Sequence, residues 1–230
     1  AACFLTRTTY LALERGTPQA RIDEVIRHAA PDLALDADDA PAPADADWRA
    51  FRSEKARADN PIAWILYSSG TTGRPKGICV AAATAAQYLD SLVDTLKLRP
   101  GMRVTQQFSP SFDGYLEEVL LAWALGGASV VADRYSLLDE RRAQAFLASR
   151  RPDVISAAPA LLAAWNRMDG LQPLPEVCIS GGDFLAPGDI GRLLGRMRIW
   201  NSYGPTETCI AAAMVDCAAA ASGPTLPIGW

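Results

Sequence analysis

The segment from Tyr67 to Gly77, with the sequence YSSGTTGRPKG, combines the residue types that bind phosphate groups. Its glycines allow backbone conformations closed to other residues and bring N–H groups close to phosphate oxygens, while hydroxyls and a lysine add donors and charge. P-loop NTPases use a different pattern, Gly-x-x-x-x-Gly-Lys-Ser/Thr, whereas here Lys76 is followed by Gly77. The segment therefore predicts a nucleotide-phosphate site that is not a P-loop.

Two carboxylates, Asp113 and Glu117, are four residues apart in a segment whose apolar residues follow helical spacing. They therefore share one face of the predicted helix, where like charges repel by about a few tenths of a kcal/mol. Such a pair either points into water on an exposed helix or is stabilised by a cation, for which a diamine would suit. The neighbouring Glu118 is rotated by about 100° from Glu117, so we expect it to lie outside this site.

Short apolar runs alternate with helical patterns along most of the chain, which predicts an α/β fold with a layered parallel or mixed sheet flanked by helices. The predicted strands are 31–35, 62–67, 128–132, 154–157, 177–180 and 198–201, and the predicted helices are 22–29, 85–96, 112–123, 140–149, 161–167 and 190–197. In open sheets, ligands gather beyond the carboxyl ends of the strands, where Ser68, Gly181 and Ser202 would lie.

The composition indicates a soluble protein with a substantial core, because the chain has 230 residues, half of them apolar, and a net charge of -4. The absence of a basic cluster argues against nucleic acid or an anionic membrane as partner. We expect the protein to lie in the cytosol, since the sequence shows neither a membrane-spanning run nor a secretory leader.

The five scattered cysteines indicate neither a disulfide framework nor a zinc site. His28, the only histidine, is expected to lie far from the motifs and outside catalysis.

A second motif, NSYGPTET at residues 201–208, follows the first. Together the two resemble the nucleotide signatures of the adenylate-forming enzymes, which include acyl-CoA synthetases, luciferases and the adenylation domains of nonribosomal peptide synthetases. The Phe112-Asp113 pair resembles the peptide-synthetase branch, and an enzyme acting on a non-amino acid would lack Asp113. The resemblance implies the core lobe of the adenylate-forming fold. It divides the chain into a partial N-terminal αβ unit with an Ala-, Asp- and Pro-rich loop, 1–60, and a nucleotide- and amino-acid-binding subdomain, 61–230.

The resemblance also implies a reaction, in which a carboxylate attacks the α-phosphorus of ATP to give an aminoacyl-adenylate and pyrophosphate. Lys76, Thr206 and Glu207 would take part in catalysis, with Glu207 also binding Mg²⁺, and Tyr203 would stack on adenine. The nucleotide-binding residues would be Ser68, Ser69, Gly70, Thr71, Thr72, Gly73, Lys76, Gly182, Asp183, Asn201, Ser202, Tyr203, Gly204 and Thr206.

In peptide-synthetase adenylation domains the aspartate of the Phe-Asp pair binds the α-ammonium group, and a residue one turn later lines the side-chain pocket. By this resemblance, Asp113 holds the α-amine and Glu117 faces the substrate's side chain. The substrate-binding residues would be Asp113, Gly114, Glu117, Ser156, Ile179, Gly181, Ser202, Ile210 and Ala211. One carboxylate among small, mostly uncharged residues favours a long side chain that ends in an amine. The implied substrate is a basic amino acid, lysine first, with β-lysine, ornithine and arginine-like residues next.

The implied partner is a peptidyl carrier protein, whose phosphopantetheine thiol would receive the amino acid in nonribosomal peptide synthesis, including antibiotic biosynthesis. A whole adenylation domain is about twice as long and carries an essential lysine in a small C-terminal lobe, whereas no lysine follows Lys97 here. We therefore expect this chain to be part of a core lobe, without the C-terminal lobe. The alternative is a non-catalytic fragment or pseudo-enzyme that binds nucleotide and amino acid.

Overall fold

The structure is a computed structural model that describes residues 9–14, 16–31, 61–68, 76–133, 135–220 and 225–229. The chain divides into two compact units, Ala1–Ala85 and Ala86–Trp230, which are described separately. The division into 1–60 and 61–230 that the resemblance implies stays a prediction. Within the described residues, no helix is both long enough and apolar enough to cross a membrane.

The first unit contains a three-stranded sheet formed by β1 (Tyr10–Leu11), β2 (Ile62–Ser68) and β3 (Lys76–Ala81), in that order. Strand β1 runs parallel to β2, and β3 runs antiparallel to β2, so that Ser68 pairs with Lys76. Strand β2 confirms the strand predicted at 62–67. Its continuously apolar sequence suits a strand that packs on both faces.

Helix α1 (Gln19–Ala29) belongs to the same unit and contributes Val25 to its core. Near its end, Nδ1 of His28 lies 2.7 Å from Oη of Tyr67, the first residue of the glycine-rich motif. The expectation that His28 lies far from every motif is therefore wrong. Helical periodicity identified α1, but it carries no information on which strand the helix packs against.

The second unit is built on a six-stranded sheet with helices, in which all neighbouring strands are parallel except the last pair. The strands, in spatial order, are β5 (Ala128–Val131), β4 (Arg103–Gln106), β6 (Val154–Ala157), β7 (Val177–Ser180), β8 (Arg198–Tyr203) and β9 (Ala213–Asp216). The helices are α2 (Ala82–Leu96), which begins at the end of the first unit, α3 (Asp113–Ala124), α4 (Glu140–Arg150), α5 (Pro159–Arg167) and α6 (Cys217–Ala220). This mixed α/β architecture confirms the predicted fold class.

The core of the second unit explains why its central strands are so apolar. All residues of β6 and β7 are buried, as expected for parallel strands covered on both faces. Trp165 of α5 is among the largest buried side chains, and its Nε1 donates a hydrogen bond of 2.9 Å to the carbonyl of Leu137. The buried sheet therefore supports the loops at the carboxyl ends of its strands.

One predicted helix is wrong, and one predicted strand lies outside the described residues. Residues 190–197 form turns between a short 3-10 helix, Pro187–Asp189, and β8. Gly195 has a φ of 79°, a left-handed conformation that ends a helix, which the apolar spacing of this segment does not reveal. The strand predicted at 31–35 lies outside the described residues beyond its first position.

Candidate functional site

Helix α3 holds both predicted substrate carboxylates at its N-terminal end. Asp113 lies in its first turn, where the helix dipole favours a negative charge, and Glu117 follows one turn later. Glu117 is only 4% exposed and Asp113 is partly buried. The two carboxylates share a helix face as predicted, but they do not simply point into water.

The carboxylate of Glu117 is bound at both oxygens by hydroxyl groups from other elements. Oγ of Ser156, in β6, donates a hydrogen bond of 2.8 Å to Oε1, and Oη of Tyr88, in α2, donates to Oε2. Burial raises the pKa of Glu117, and the hydrogen bonds from Tyr88 and Ser156 act in the opposite direction. Burial, followed by the charge of Glu117, raises the pKa of Tyr88 well above its usual value. The structure thus joins Glu117 to the predicted pocket residue Ser156.

Asp113 connects helix α3 to the second nucleotide motif. Burial raises the pKa of its carboxyl, whereas hydrogen bonds from Thr206 and from the backbone of Gly114 lower it. The backbone N–H of Gly114 donates to Oδ1 over 2.9 Å. A Cβ on Gly114 would lie 3.1 Å from the ring of Phe108, so a larger residue would need this ring to move. Asp113, the expected α-amine ligand, and Thr206, an expected nucleotide ligand, are therefore neighbours.

Three predicted pocket residues lie at the ends of the adjacent parallel strands β7 and β8. Ile179 is buried within β7, and Gly181 follows that strand directly. A Cβ on Gly181 would lie 2.5 Å from Oγ of Ser202, which itself donates a hydrogen bond of 3.0 Å to the carbonyl of Ser180. Only glycine therefore fits at position 181 without displacing Ser202.

The remaining pocket residues, Ile210 and Ala211, lie against Gly204 of the second motif. A Cβ on Gly204 would lie 2.5 Å from Cα of Ala211 and 2.6 Å from the carbonyl oxygen of Ile210. Cys209 and Ile210 have φ angles of 62° and 73°, a conformation that is unfavourable for side chains with a Cβ and rare for β-branched residues. Such backbone strain is often found at functional sites, where the surrounding structure enforces it.

The other residues of the second motif and its neighbouring loop differ in exposure. Tyr203 is 54% exposed, whereas Asn201 is buried and its Nδ2 donates a hydrogen bond of 2.9 Å to the carbonyl of Pro227. Asp183 lies in an exposed loop after Gly182, which has a φ of 85°, and its Oδ1 accepts a hydrogen bond of 2.7 Å from the N–H of Phe184. Tyr203 therefore has a ring face available for stacking, while the side chain of Asn201 is bonded to the segment around Pro227.

Glu207 is an exposed carboxylate in the short 3-10 helix Thr206–Thr208. Among the described residues, no group of three or more acidic, histidine or cysteine side chains is arranged to hold a metal ion. A single carboxylate fits Mg²⁺, because this ion typically keeps several waters and is held by one or two carboxylates together with substrate phosphates. The donor set is thus compatible with a magnesium ion that arrives with the nucleotide.

Most of the predicted phosphate loop lies outside the described residues, namely Ser69, Gly70, Thr71, Thr72 and Gly73. The residues that flank it are described: Ser68 ends β2, and Lys76, which is exposed, begins β3. Their pairing brings the two ends of the segment together in the first unit. The assignment of this segment to phosphate binding stays a prediction.

Sequence reasoning missed the roles of two polar residues, of which Tyr88 contacts Glu117 directly. Tyr88 stands in the amphipathic pattern of α2 and looks like an ordinary core residue, so no sequence signal distinguishes it. Glu118 is fully buried, and its Oε2 accepts hydrogen bonds from the backbone N–H groups of Gln107 (2.9 Å) and Phe108 (3.1 Å). Burial raises its pKa to about 8. Glu118 fixes the segment that leads from β4 towards α3, and helical spacing alone does not reveal that it is buried.

Comparison with known proteins is consistent with this geometry. The family model described as AMP-binding enzyme matches residues 1–230. The chain is 35% identical over 180 residues to chondramide synthase of Chondromyces crocatus, covering 76% of this chain and 4% of that protein. It is 31% identical over 163 residues to delta-poly-L-ornithine synthetase of Acinetobacter baumannii, covering 70% of this chain and 12% of that protein.

A solved structure of a nonribosomal peptide synthetase protein containing adenylation and PCP domains gives a TM-score of 0.80 at 27% identity. The match covers 99% of this chain and 48% of that one. The chain thus spans a small fraction of the curated relatives and about half of this solved structure.

Proposed function

The chain belongs to the AMP-binding enzyme family and is similar to the adenylation domains of nonribosomal peptide synthetases, and we propose that it activates a basic amino acid as an aminoacyl-adenylate. The first substrate candidate is lysine, and β-lysine, ornithine and arginine-like residues are its competitors. In the whole protein, the activated amino acid would pass to the phosphopantetheine thiol of a peptidyl carrier protein. The names of the relatives support synthesis of a peptide, and one of them names ornithine.

The observation that carries the proposal is the burial of Glu117 beside the first-turn carboxylate Asp113. In this proposal Asp113 binds the α-ammonium group, and Glu117 binds the amine at the end of the side chain. A carboxylate that is 4% exposed is costly unless a positive group pairs with it. Within the described part of the chain, its pKa is set by burial, by two hydroxyls and by the carboxylate of Asp113, and none of these groups is cationic. A cationic substrate would supply the missing charge.

The arrangement around Asp113 also suits the chemical step. The substrate's carboxylate must reach the α-phosphate of ATP, and Thr206, which hydrogen-bonds Asp113, would contact that phosphate in this proposal. One residue further, Glu207 would hold a magnesium ion, which supplies positive charge to the phosphates. Tyr203 would stack on adenine, and Lys76 would bind the outer phosphates. The protein's contribution is then to position the reactants and stabilise charge.

The test is amino-acid-dependent ATP–pyrophosphate exchange on the full-length protein, with lysine, β-lysine, ornithine, arginine and neutral amino acids in parallel. We expect exchange with a basic amino acid. Glu117→Ala should reduce exchange with that amino acid far more than exchange with a neutral one. Exchange only with neutral amino acids would keep the adenylation activity and reject the basic substrate. No exchange with any of them would favour a non-catalytic binding domain.

A further inference from the structure

The buried carboxylate of Glu117 lies between two hydroxyl donors that come from different elements of the second unit. Ser156, which is 2% exposed, donates to Oε1 from β6, and Tyr88 donates to Oε2 from α2. Among the described residues, each oxygen therefore has one donor. An ionised carboxylate can accept about four hydrogen bonds, so acceptor capacity remains for a substrate.

The surroundings of Glu117 otherwise favour its protonated form. Burial and the charge of Asp113 both raise its pKa. The charge of Glu117 in turn raises the pKa of Glu118, its neighbour in α3, and the pKa of Cys178 in β7. Cys209 similarly raises the pKa of Tyr88. Of the described groups that act on Glu117, only the hydroxyls of Tyr88 and Ser156 favour the ionised carboxylate.

We infer that Tyr88 and Ser156 are positioning residues that keep Glu117 ionised and oriented, so that the pocket selects a positively charged side chain. This inference rests on the proposed function, in which Glu117 faces the side chain of the substrate. A protonated Glu117 would present a neutral acid and would tolerate a neutral side chain. An ionised Glu117 instead attracts an ammonium group and disfavours an apolar end, which would leave the charge buried and unpaired.

Tyr88 offers the cleaner test, because Tyr88→Phe removes one hydroxyl and keeps the ring. The variant leaves Glu117 buried but without one of its two donors, so the pKa of its carboxyl should rise. Titration of the glutamate side-chain carboxyl carbons by NMR measures this directly without substrate. We expect the pKa of Glu117 to rise above its wild-type value, which lowers the ratio of ionised to protonated carboxyl at a given pH. Tyr135→Phe, at a tyrosine that is 67% exposed, is the matched control.

The second readout is selectivity in the full-length protein. We would measure kcat/KM for lysine and for norleucine, which has the same α-amine but a neutral side chain, by ATP–pyrophosphate exchange between about pH 6.5 and about pH 9. Tyr88→Phe should lower the lysine-to-norleucine ratio near neutral pH, through KM rather than kcat, because a smaller fraction of Glu117 is ionised in the variant. The ratio should recover as the pH rises, because Glu117 ionises again while the lysine side chain stays charged. Glu117→Gln should abolish the preference for lysine over norleucine at every pH.

Ser156→Ala provides an independent variant if Tyr88→Phe does not fold, as judged by circular dichroism. An unchanged pKa of Glu117 in both variants overturns the inference. A decrease in the lysine-to-norleucine ratio that has the same size at every pH also overturns the inference, because that result indicates a purely structural role. A wild-type protein that does not prefer lysine over norleucine refutes the proposed substrate and the selection step with it. The carboxyl titration would then still decide whether the hydroxyls keep Glu117 ionised.

Discussion

Glu118 should make the stability of this chain depend on pH, and Glu118→Gln should remove most of that dependence. The carboxyl is fully buried, its Oε1 has no hydrogen-bond partner among the residues that the structure describes, and its Oε2 accepts from two backbone N–H groups. A glutamine keeps an acceptor oxygen for those N–H groups and cannot ionise. The substitution therefore isolates the cost of a buried charge.

The expected magnitude follows from the pKa of Glu118, which is about 8 in the folded chain instead of 4.5. The protonated carboxyl stabilises the fold fully below pH 4.5, and this contribution declines as the pH rises and is gone above about pH 8. At about 1.4 kcal/mol per pKa unit, the total is at most about 5 kcal/mol. Coupling to Glu117 and relaxation of the protein reduce it, so we expect a loss of at least about 2 kcal/mol.

The assay is urea unfolding of wild type and Glu118→Gln at several values between about pH 5 and about pH 8. We expect the free energy of unfolding of the variant to rise relative to wild type by about 2 kcal/mol or more across this range. Glu140→Gln, which changes an exposed glutamate in the first turn of α4, should give a nearly constant difference. A difference between Glu118→Gln and wild type that does not change with pH would refute the reasoning.

Two other substitutions test the second motif. Gly204→Ala should destabilise the chain by about 2 kcal/mol or more, because its Cβ would lie 2.5 Å from Cα of Ala211. Gly188→Ala, whose Cβ meets nothing within 4 Å, should be nearly neutral, and equal urea midpoints for the two variants would contradict the prediction. Tyr203→Ala should raise the KM for ATP in the exchange assay about tenfold with little effect on the KM for the amino acid, since stacking on a base contributes about 1–3 kcal/mol. An unchanged KM for ATP would exclude stacking.

Local patterns predicted much of the fold because the relevant information lies within a few residues. The continuous apolar runs of β6 and β7 identified buried strands, and the four-residue spacing of Asp113 and Glu117 placed them on one helix face. The helix predicted at 190–197 failed because apolar spacing outweighed the turn-forming glycine at position 195. Left-handed conformations override a periodic pattern, since a helix cannot continue through them.

The contacts of the candidate site depend on packing between distant segments, which sequence spacing does not encode. Tyr88 is 29 residues from Glu117, and His28 is 39 residues from Tyr67. The burial of Glu117 and Glu118 was also not predictable from spacing, because a helical pattern shows which side chains share a helix face but not whether that face is covered. The family resemblance identified the predicted pocket residues by their positions in the sequence. The structure adds which of these residues contact one another.

The contact between Tyr88 and Glu117 has a practical consequence for exchanging pieces between related synthetases. Both residues lie in the unit Ala86–Trp230, but Tyr88 precedes every pocket residue that the sequence motifs identify. A transplant that begins near Asp113 would separate Glu117 from its native tyrosine and leave the recipient's residue in its place. A junction before position 86 would keep Glu117, Tyr88 and Ser156 together in the transplanted segment. The choice of crossover point thus decides whether a hybrid receives Glu117 with both of its hydroxyl donors or without its tyrosine.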